Sequence, residues 1–304
     1  AVRCLVRRSS RRDNLEGLGV ELAEGDLTDP ASLSRAMAGV ATLYHCAADY
    51  RLWARDPGEL YRVNVSGTEN VLAAAAQAGV SRVVYTSSVG ALGLGPGGAP
   101  ADEKAPVSRG RIVGVYKKSK YDAERVAERW AARGLPVVIV NPSTPVGELD
   151  IRPTPTGQMI VDFLDGRIPA YVDTGLNLVD VRDVALGHLL AAGKGRVGEK
   201  YILGNRNMTL KEILEALGRL TGRKAPSLRL PHAVPLAAAA VGTLLANWTG
   251  RPPRVSLESV RMSRHRMFFD AGKAVRELGM PQTPVEEALA RAVAWFREKG
   301  YARG

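Results

Sequence analysis

The sequence predicts an α/β fold: a doubly wound parallel sheet with a smaller C-terminal substrate domain. Two observations carry this reading. From the N-terminus to about residue 150, short apolar β-branched runs alternate with helical stretches, the pattern of successive βαβ units. The best of these runs, Val83-Val84-Tyr85 and Val137-Val138-Ile139-Val140, are apolar at every position, as strands covered on both faces are. After Asp150 the alternation stops. Residues 1–150, to which 178–197 return, are assigned to the sheet domain, and 151–177 with 198–304 to the substrate-binding region.

In order, strands are expected at Ala1 to Val6, Val20 to Glu24, Thr42 to Cys46, Arg82 to Thr86 and Val137 to Val140. Asp29 as N-cap and Pro30 at the first helical position open a helix that Gly39 ends. A long helix runs from about Glu59 to Ala78, stopped by Gly79, and another carries Tyr116 and Lys120 and closes at Gly134. Beyond the boundary, Ile151 to Gly157 reads as a proline-punctuated loop and Pro169 to Leu178 as irregular. Asp183 to Ala192 is expected to be helical and Lys200 to Leu203 a short strand. Thr209 caps a helix to Leu220, and the last helix runs from Pro284 to about Lys299. A dinucleotide-binding fold opens with a strand and a Gly-rich turn that brings backbone N–H groups to a pyrophosphate. No G-x-x-G-x-x-G precedes the first strand, so the fold is expected to lack its first βα unit.

The chain has 304 residues, 45% of them hydrophobic and 24% charged, and a formal net charge of +11. A basic surface attracts nucleic acid, anionic lipid or phosphorylated small molecules. Nucleic acid is not expected, because no helix-turn-helix, aromatic RNA-binding strand or zinc-ligand spacing occurs. The two cysteines, Cys4 and Cys46, fall in apolar runs and read as buried thiols. They form neither a disulfide framework nor a metal site, which fits a reducing compartment, and the expected location is the cytoplasm. No signal-peptide pattern is visible. Leu230 to Gly250 carries no formal charge with His232 neutral, but Pro231, Pro235, Asn247 and its alanine content make it a poor membrane span. A helix of the substrate region is expected there, with weak membrane-surface contact through 230–250 as the alternative.

The candidate chemistry centres on Tyr116-Lys117-Lys118-Ser119-Lys120. Tyr116 and Lys120 are four apart, one turn along a helix face, so the ammonium can reach the phenol. A cation there favours the phenolate and prepares the group to exchange a proton at a carbonyl or hydroxyl oxygen. Ser88, two residues past a strand end, is placed to hold that oxygen. In open parallel sheets ligands bind beyond the carboxyl ends of the strands, and Arg7, Asp26, Cys46, Ala47, Ala48, Thr86, Asn141 and Pro142 all lie at such ends. Arg7 stands where an acidic residue would grip the 2′-hydroxyl of NAD, so NADP is the expected cofactor and NAD the alternative. With Arg8, Arg11 and Arg12 nearby, the sequence does not single out one arginine. Asp26 is a partner for an adenine amino group or a cap of its own turn. The small Ala47 and Ala48 let backbone pass close to a cofactor. His45 reads as a satisfied strand-end histidine. No paired carboxylates, His/Cys metal constellation or Ser-His-Asp order suggests hydrolysis.

Together, Tyr116-x-x-x-Lys120, Ser87-Ser88, Gly25-Asp26-Leu27, His45-Cys46-Ala47-Ala48, Asn64-Val65-Ser66-Gly67-Thr68 and Asn141-Pro142 resemble the extended short-chain dehydrogenase/reductase superfamily, whose fold is Rossmann-like. The resemblance implies that Tyr116 is the acid/base, that Lys120 lowers its pKa and binds the nicotinamide ribose, and that Ser88 orients the substrate oxygen. It also implies that Asp26 and Leu27 meet adenine, that Cys46 and Ala47 line the cofactor cleft, and that Asn141 and Pro142 lie near the nicotinamide and substrate. More narrowly, Asp49-Tyr50-Arg51-Leu52-Trp53, Pro153 to Gly157 and Pro169 to Asn177 resemble hopanoid-associated sugar epimerases, which are close to dihydroflavonol-reductase-like enzymes. Val89-Gly90 follow the serine where nucleotide-sugar dehydratases carry Asp-Glu, so dehydration is not expected. Ala91-Leu92-Gly93 replace the Val-Tyr-Gly of nucleotide-sugar epimerases, and Val140 to Ser143 looks more like the dihydroflavonol-reductase and steroid-dehydrogenase branch. The expected activity is NAD(P)-dependent hydride transfer at a carbonyl or secondary alcohol of a sugar-like or lipid-linked substrate. Epimerisation without net redox change and a non-catalytic cofactor-sensing role are the alternatives. Members of the superfamily often pair into homodimers, although no stretch here isolates an interface.

Overall fold

The structure, a computed structural model, describes residues 1–250, 253 and 255–302, the side chain of Asn247 excepted. Residues 251, 252, 254, 303 and 304 of the expected 198–304 region lie outside the described residues. In chain order the strands are β1 (Arg3–Val6), β2 (Glu21–Glu24), β3 (Thr42–His45), β4 (Arg82–Thr86), β5 (Val137–Pro142), β6 (Thr144–Val146), β7 (Gly175–Asp180), β8 (Lys200–Leu203), β9 (Arg206–Thr209) and β10 (Arg266–Met267). The helices are α1 (Pro30–Met37), α2 (Pro57–Tyr61), α3 (Gly67–Gln77), α4 (Val115–Ala132), α5 (Pro155–Leu164), α6 (Val181–Lys194), α7 (Leu210–Thr221), α8 (Ala233–Thr249), α9 (Leu257–Met262), α10 (Gly272–Leu278) and α11 (Val285–Glu298). A π-helical turn, Arg62–Ser66, joins α2 to α3.

The central sheet is parallel, in the order β3-β4-β5-β8. Successive side chains of a strand point to opposite faces, and the apolar runs serve both. Val83, Tyr85, Val137 and Ile139 pack under α1, α3 and α4. Val84, Val138, Val140, Tyr201 and Leu203 pack against α6 and α10. This two-sided cover is why the runs show no alternation in sequence. Asp29 caps α1 by accepting from the N–H groups of Ala31 and Ser32, and Gly39 follows with φ +73°. Both match expectation.

β1 and β2 pair in parallel with each other but form no hydrogen bonds with β3. In a doubly wound sheet another strand stands between them, and no described residue supplies it. Leu5, Leu22 and Tyr44 on these strands are accordingly exposed.

A second sheet runs β10-β7-β6, with β9 antiparallel on β7. Its core joins Leu178 and Met208 to Ile160, Phe163 and Leu164 of α5, Ile213 and Leu217 of α7, and Leu289 and Phe296 of α11. The division at residue 150 needs correction at two points. β8 pairs with β5 in the central sheet, and α10 packs on α6, so parts of 198–304 belong with the first unit. The stretches expected as loop hold the first residues of α5 and of β7. Thr154 caps α5 with Pro155 at its first position, so a proline read as a breaker is a helix start. β7 escapes notice because its polar Asn177 is buried and donates to the Asn205 carbonyl, Asn207 Oδ1 and the Phe269 carbonyl, all distant in sequence.

α8 presents Val234, Val241, Leu244, Leu245 and Trp248 to solvent, Trp248 at 85% exposure. Among the described residues no helix is long and apolar enough to cross a membrane.

Candidate active site

Tyr116 sits in the first turn of α4. Gly114, at φ +93°, turns the chain into the helix, and the Glu258 carboxylate of α9 accepts from the Val115 N–H at 3.2 Å. A carboxylate from a distant segment thus caps the helix that carries the phenol and complements its dipole. Ser88 is extended, and its hydroxyl oxygen accepts from the Gly90 N–H at 3.0 Å. The Ser88 hydroxyl lies near enough to the Tyr116 phenol to favour its ionised form. Burial raises the Tyr116 phenol to about 12, against the smaller lowering effect of Ser88.

Lys120 corrects one expectation. Its ammonium donates to the Thr86 carbonyl at the end of β4 (2.8 Å) and lies 5.2 Å from the centre of the Tyr85 ring. Burial brings it down to about 8, in part offset by Glu124 and Cys46. The lysine reaches the strand end rather than the phenol, and the raised Tyr116 value comes from burial, eased by Ser88.

Asn141 is fully buried. Its amide donates to the Ser88 carbonyl at 3.1 Å and to Glu124 at 2.7 Å. It was expected on the substrate, but its donors are taken up below the site, where they fix the backbone of Ser88. Pro142 follows it at the end of β5, beside Leu203 of β8.

Cys46 corrects another expectation, being exposed just past β3 while Cys4 is half-buried. The strand ends before it, so the thiol emerges at the sheet edge. Thr86 Oγ1 lies 3.4 Å from its sulfur and 2.8 Å from His188 Nε2. Burial pushes the thiol up, but hydrogen bonds from His188 and Thr86 and the charge of Lys120 outweigh it and leave it below the usual thiol range. His45 is buried beside Thr68, its Nε2 3.1 Å from the hydroxyl. Burial and then the Lys120 charge hold it neutral, with its pKa down to about 3.

At the other end of the strand edge, Arg7, Arg8 and Arg35 border a cleft of about 700 Å³ with Gly25 and Asp26. It adjoins one of about 690 Å³ lined by Arg7, Asp26, Leu27, Ala47 and Ala48. Arg11 is engaged with Asp13 and the Ile151 carbonyl, which leaves Arg7 and Arg8 as the cleft cations of the N-terminal cluster. Asp26 takes up one oxygen in capping Thr28 and still borders both clefts. These residues suit the adenosine end of a dinucleotide, and the sequence resemblance assigns the nicotinamide end to Lys120. Among the described residues no Gly-rich turn lies between them to hold the pyrophosphate.

Residues 1–204 match the NAD dependent epimerase/dehydratase family. The chain belongs to this family. It is 49% identical over 306 residues to a dihydroflavonol 4-reductase-like protein of Synechocystis sp., covering 99% of this chain and 89% of that one. It is 40% identical over 301 residues to sterol demethylase protein B of Methylococcus capsulatus, covering 98% and 92%. Among solved structures, gox2253 superposes with a TM-score of 0.88 at 49% identity, covering 99% of this chain and 92% of that one. The dTDP-glucose 4,6-dehydratase DesIV of Streptomyces venezuelae, solved with NAD and TYD bound, gives a TM-score of 0.77 at 25% identity, covering 98% and 90%. The chain is thus an enzyme of a family whose members bind NAD, with parallel sheets of the Rossmann type.

In this epimerase/dehydratase-family enzyme several supports were not apparent from sequence. Glu124, fully buried on α4, accepts from Ser87 (2.5 Å), Asn141 (2.7 Å), Lys200 (2.6 Å) and Arg125 (2.8 Å). Asn64, on the π-helical turn, accepts from the Asp49 N–H (2.7 Å) and donates to the Asp49 carbonyl and to Ser119 Oγ, each at 2.9 Å. Ser119 in turn donates to the Tyr116 carbonyl at 2.7 Å. Spacing on α4 places Glu124 one turn after Lys120, which was the available signal. The π turn, a frequent mark of functional sites, has none.

Proposed function

We propose that the enzyme transfers hydride between NADP and a carbonyl or secondary alcohol of a largely apolar, lipid-like substrate. The observation that carries the reading is the approach of Ser88 to the Tyr116 phenol, with Lys120 on the same helix at the strand end, and a cavity of about 300 Å³ whose lining includes Val89, Leu92, Ile112, Val113, Met262 and Met267. Such a lining suits an apolar skeleton better than a nucleotide-sugar. The relative named as dihydroflavonol-reductase-like supports a net redox reaction over epimerisation.

A bound nicotinamide cofactor supplies the hydride. Ser88 donates a hydrogen bond to the substrate oxygen, and Tyr116, protonated because burial raises it, delivers the proton to that oxygen as the carbonyl is reduced. Lys120 holds the strand end and adds positive charge where negative charge develops. Arg7 is proposed to meet the 2′-phosphate of NADP. We also propose that the exposed face of α8 rests on an anionic lipid surface, supported by the exposed Val234, Val241, Leu244, Leu245 and Trp248 and the chain's net charge of +11.

The test follows the absorbance of NADPH during turnover of an aryl ketone by wild type and Tyr116→Phe. Stoichiometric loss of NADPH in the wild type, and a fall of about 10³-fold in the variant with NADPH binding kept, is expected. Turnover retained by Tyr116→Phe, or isomerised product with no net NADPH change, refutes it.

A further inference from the structure

Lys117 is the charged side chain at the site that the chemistry above leaves without a role. It follows Tyr116 on α4 and is half-buried along its length. Its Nζ ends in the apolar cavity, 3.2 Å from Met267 Sδ. A thioether is a weak acceptor. Burial alone lowers the ammonium to about 8, and no acidic group among the described residues offsets it. Glu124, buried on the same helix, is by contrast matched by Lys200 and Arg125. An unpaired ammonium in apolar surroundings carries a desolvation cost that a methionine in the same space would avoid.

The route of the side chain is set by Gly90. A Cβ at that position would stand 3.2 Å from Lys117 Cγ and 3.3 Å from Ser88 Oγ. The lysine stem and the serine hydroxyl therefore both approach one glycine. On the hydride-transfer reading, a substrate oxygen held by Ser88 would bring its neighbouring carbons towards that stem. Arg111 and His265 stand exposed and also line the cavity, adding further basic side chains to it.

We propose that Lys117 binds a carboxylate carried by the substrate near its reacting carbon, so that the enzyme takes apolar oxo- or hydroxy-carboxylic acids in preference to their uncharged counterparts. The proposal rests on the hydride-transfer reading for the place of the reacting oxygen. An arriving carboxylate supplies the partner that the ammonium lacks, and a desolvated ion pair of this kind discriminates strongly against a ligand without it.

The probes are 4-oxo-4-phenylbutanoate and its methyl ester, given with NADPH to the full chain as wild type, Lys117→Met and Lys117→Arg. Wild type is expected to favour the acid by about tenfold or more in kcat/KM, Lys117→Met to bring the acid-to-ester ratio close to one, and Lys117→Arg to keep most of it. Equal use of acid and ester by wild type, or an unchanged ratio in Lys117→Met, overturns the proposal. Should neither compound be reduced, the hydride-transfer reading fails, and calorimetric binding of the acid decides the matter for Lys117. Affinity about tenfold weaker in Lys117→Met, with Lys117→Gln as a second variant, upholds it; equal affinity or no binding to wild type overturns it.

Discussion

Replacing Glu124 by glutamine tests whether the buried carboxylate beneath Ser88 holds the site together. Four donors converge on it at 2.5 to 2.8 Å. Each hydrogen bond to a charged group is worth about 1.5–3 kcal/mol, but summing four would overshoot. Lys200 and Arg125 each keep Glu128 at 2.7 Å, so neither cation is orphaned, and the ~3–5 kcal/mol penalty of an unpaired buried charge does not apply. Ser87 and Asn141 both donate to Oε2 while Lys200 and Arg125 both donate to Oε1, so one of these two pairs loses its acceptor to the glutamine amide. The expected loss is therefore about 2–3 kcal/mol, which for a chain of this size lowers Tm by roughly 6 °C in scanning calorimetry. Because Asn141 also holds the Ser88 carbonyl, kcat for the aryl ketone should fall about tenfold while NADPH affinity stays. An unchanged Tm would refute the reasoning, since a fully buried carboxylate that can be neutralised without cost is not tying these groups together.

Three further outcomes are expected. Lys120 is held near pKa 8 when folded and returns to about 10.4 when unfolded. Between those values the unfolded chain carries the extra proton, so this residue makes stability rise with pH, by about 1–2 kcal/mol from pH 8 to 9.5; Lys117 is lowered alike, so urea denaturation should show a rise in wild type that falls to about half in Lys120→Met. Arg7→Ala should weaken NADPH about tenfold and leave NADH nearly unchanged in fluorescence titrations, and equal losses would remove Arg7 from the 2′-phosphate. Sedimentation with phosphatidylserine vesicles should be lost in Leu244→Asp/Leu245→Asp and fall with salt; binding that survives both changes would place the contact elsewhere.

The central sheet was legible because its strands are buried on both faces, which leaves runs such as Val137 to Val140 with no competing reading. Caps were legible for a similar reason: Asp29-Pro30 and Thr209 with Glu212 act within one turn, and the capping box at Thr209 is present. β7 and α5 were not, because their identity depends on partners far along the chain or on a proline whose role changes with its position. In the site, Ser88, Tyr116 and Lys120 were legible by spacing and strand ends. The partner of each charge was not. Lys120 turns to a backbone carbonyl on β4, and Glu124 looks like one more acid among the alternating charges of α4 until Ser87, Asn141 and Lys200 arrive from three strands or strand ends. Spacing along a helix reports which face a side chain shares, while its partners are set by the sheet that the face covers.

Asn64 extends this beyond chemistry. Its amide grips both backbone groups of Asp49, at the end of the loop that carries Ala47 and Ala48, and through Ser119 it reaches the carbonyl of Tyr116. The loop that borders the cofactor cleft and the helix turn that aims the phenol are thus pinned to one side chain, with no hinge between them. On the proposed reaction, a shift of the loop on seating a dinucleotide would be passed to the turn that carries Tyr116. The widened turn at Arg62–Ser66 is the mount of that linkage, joining the cleft wall to the phenol through one amide.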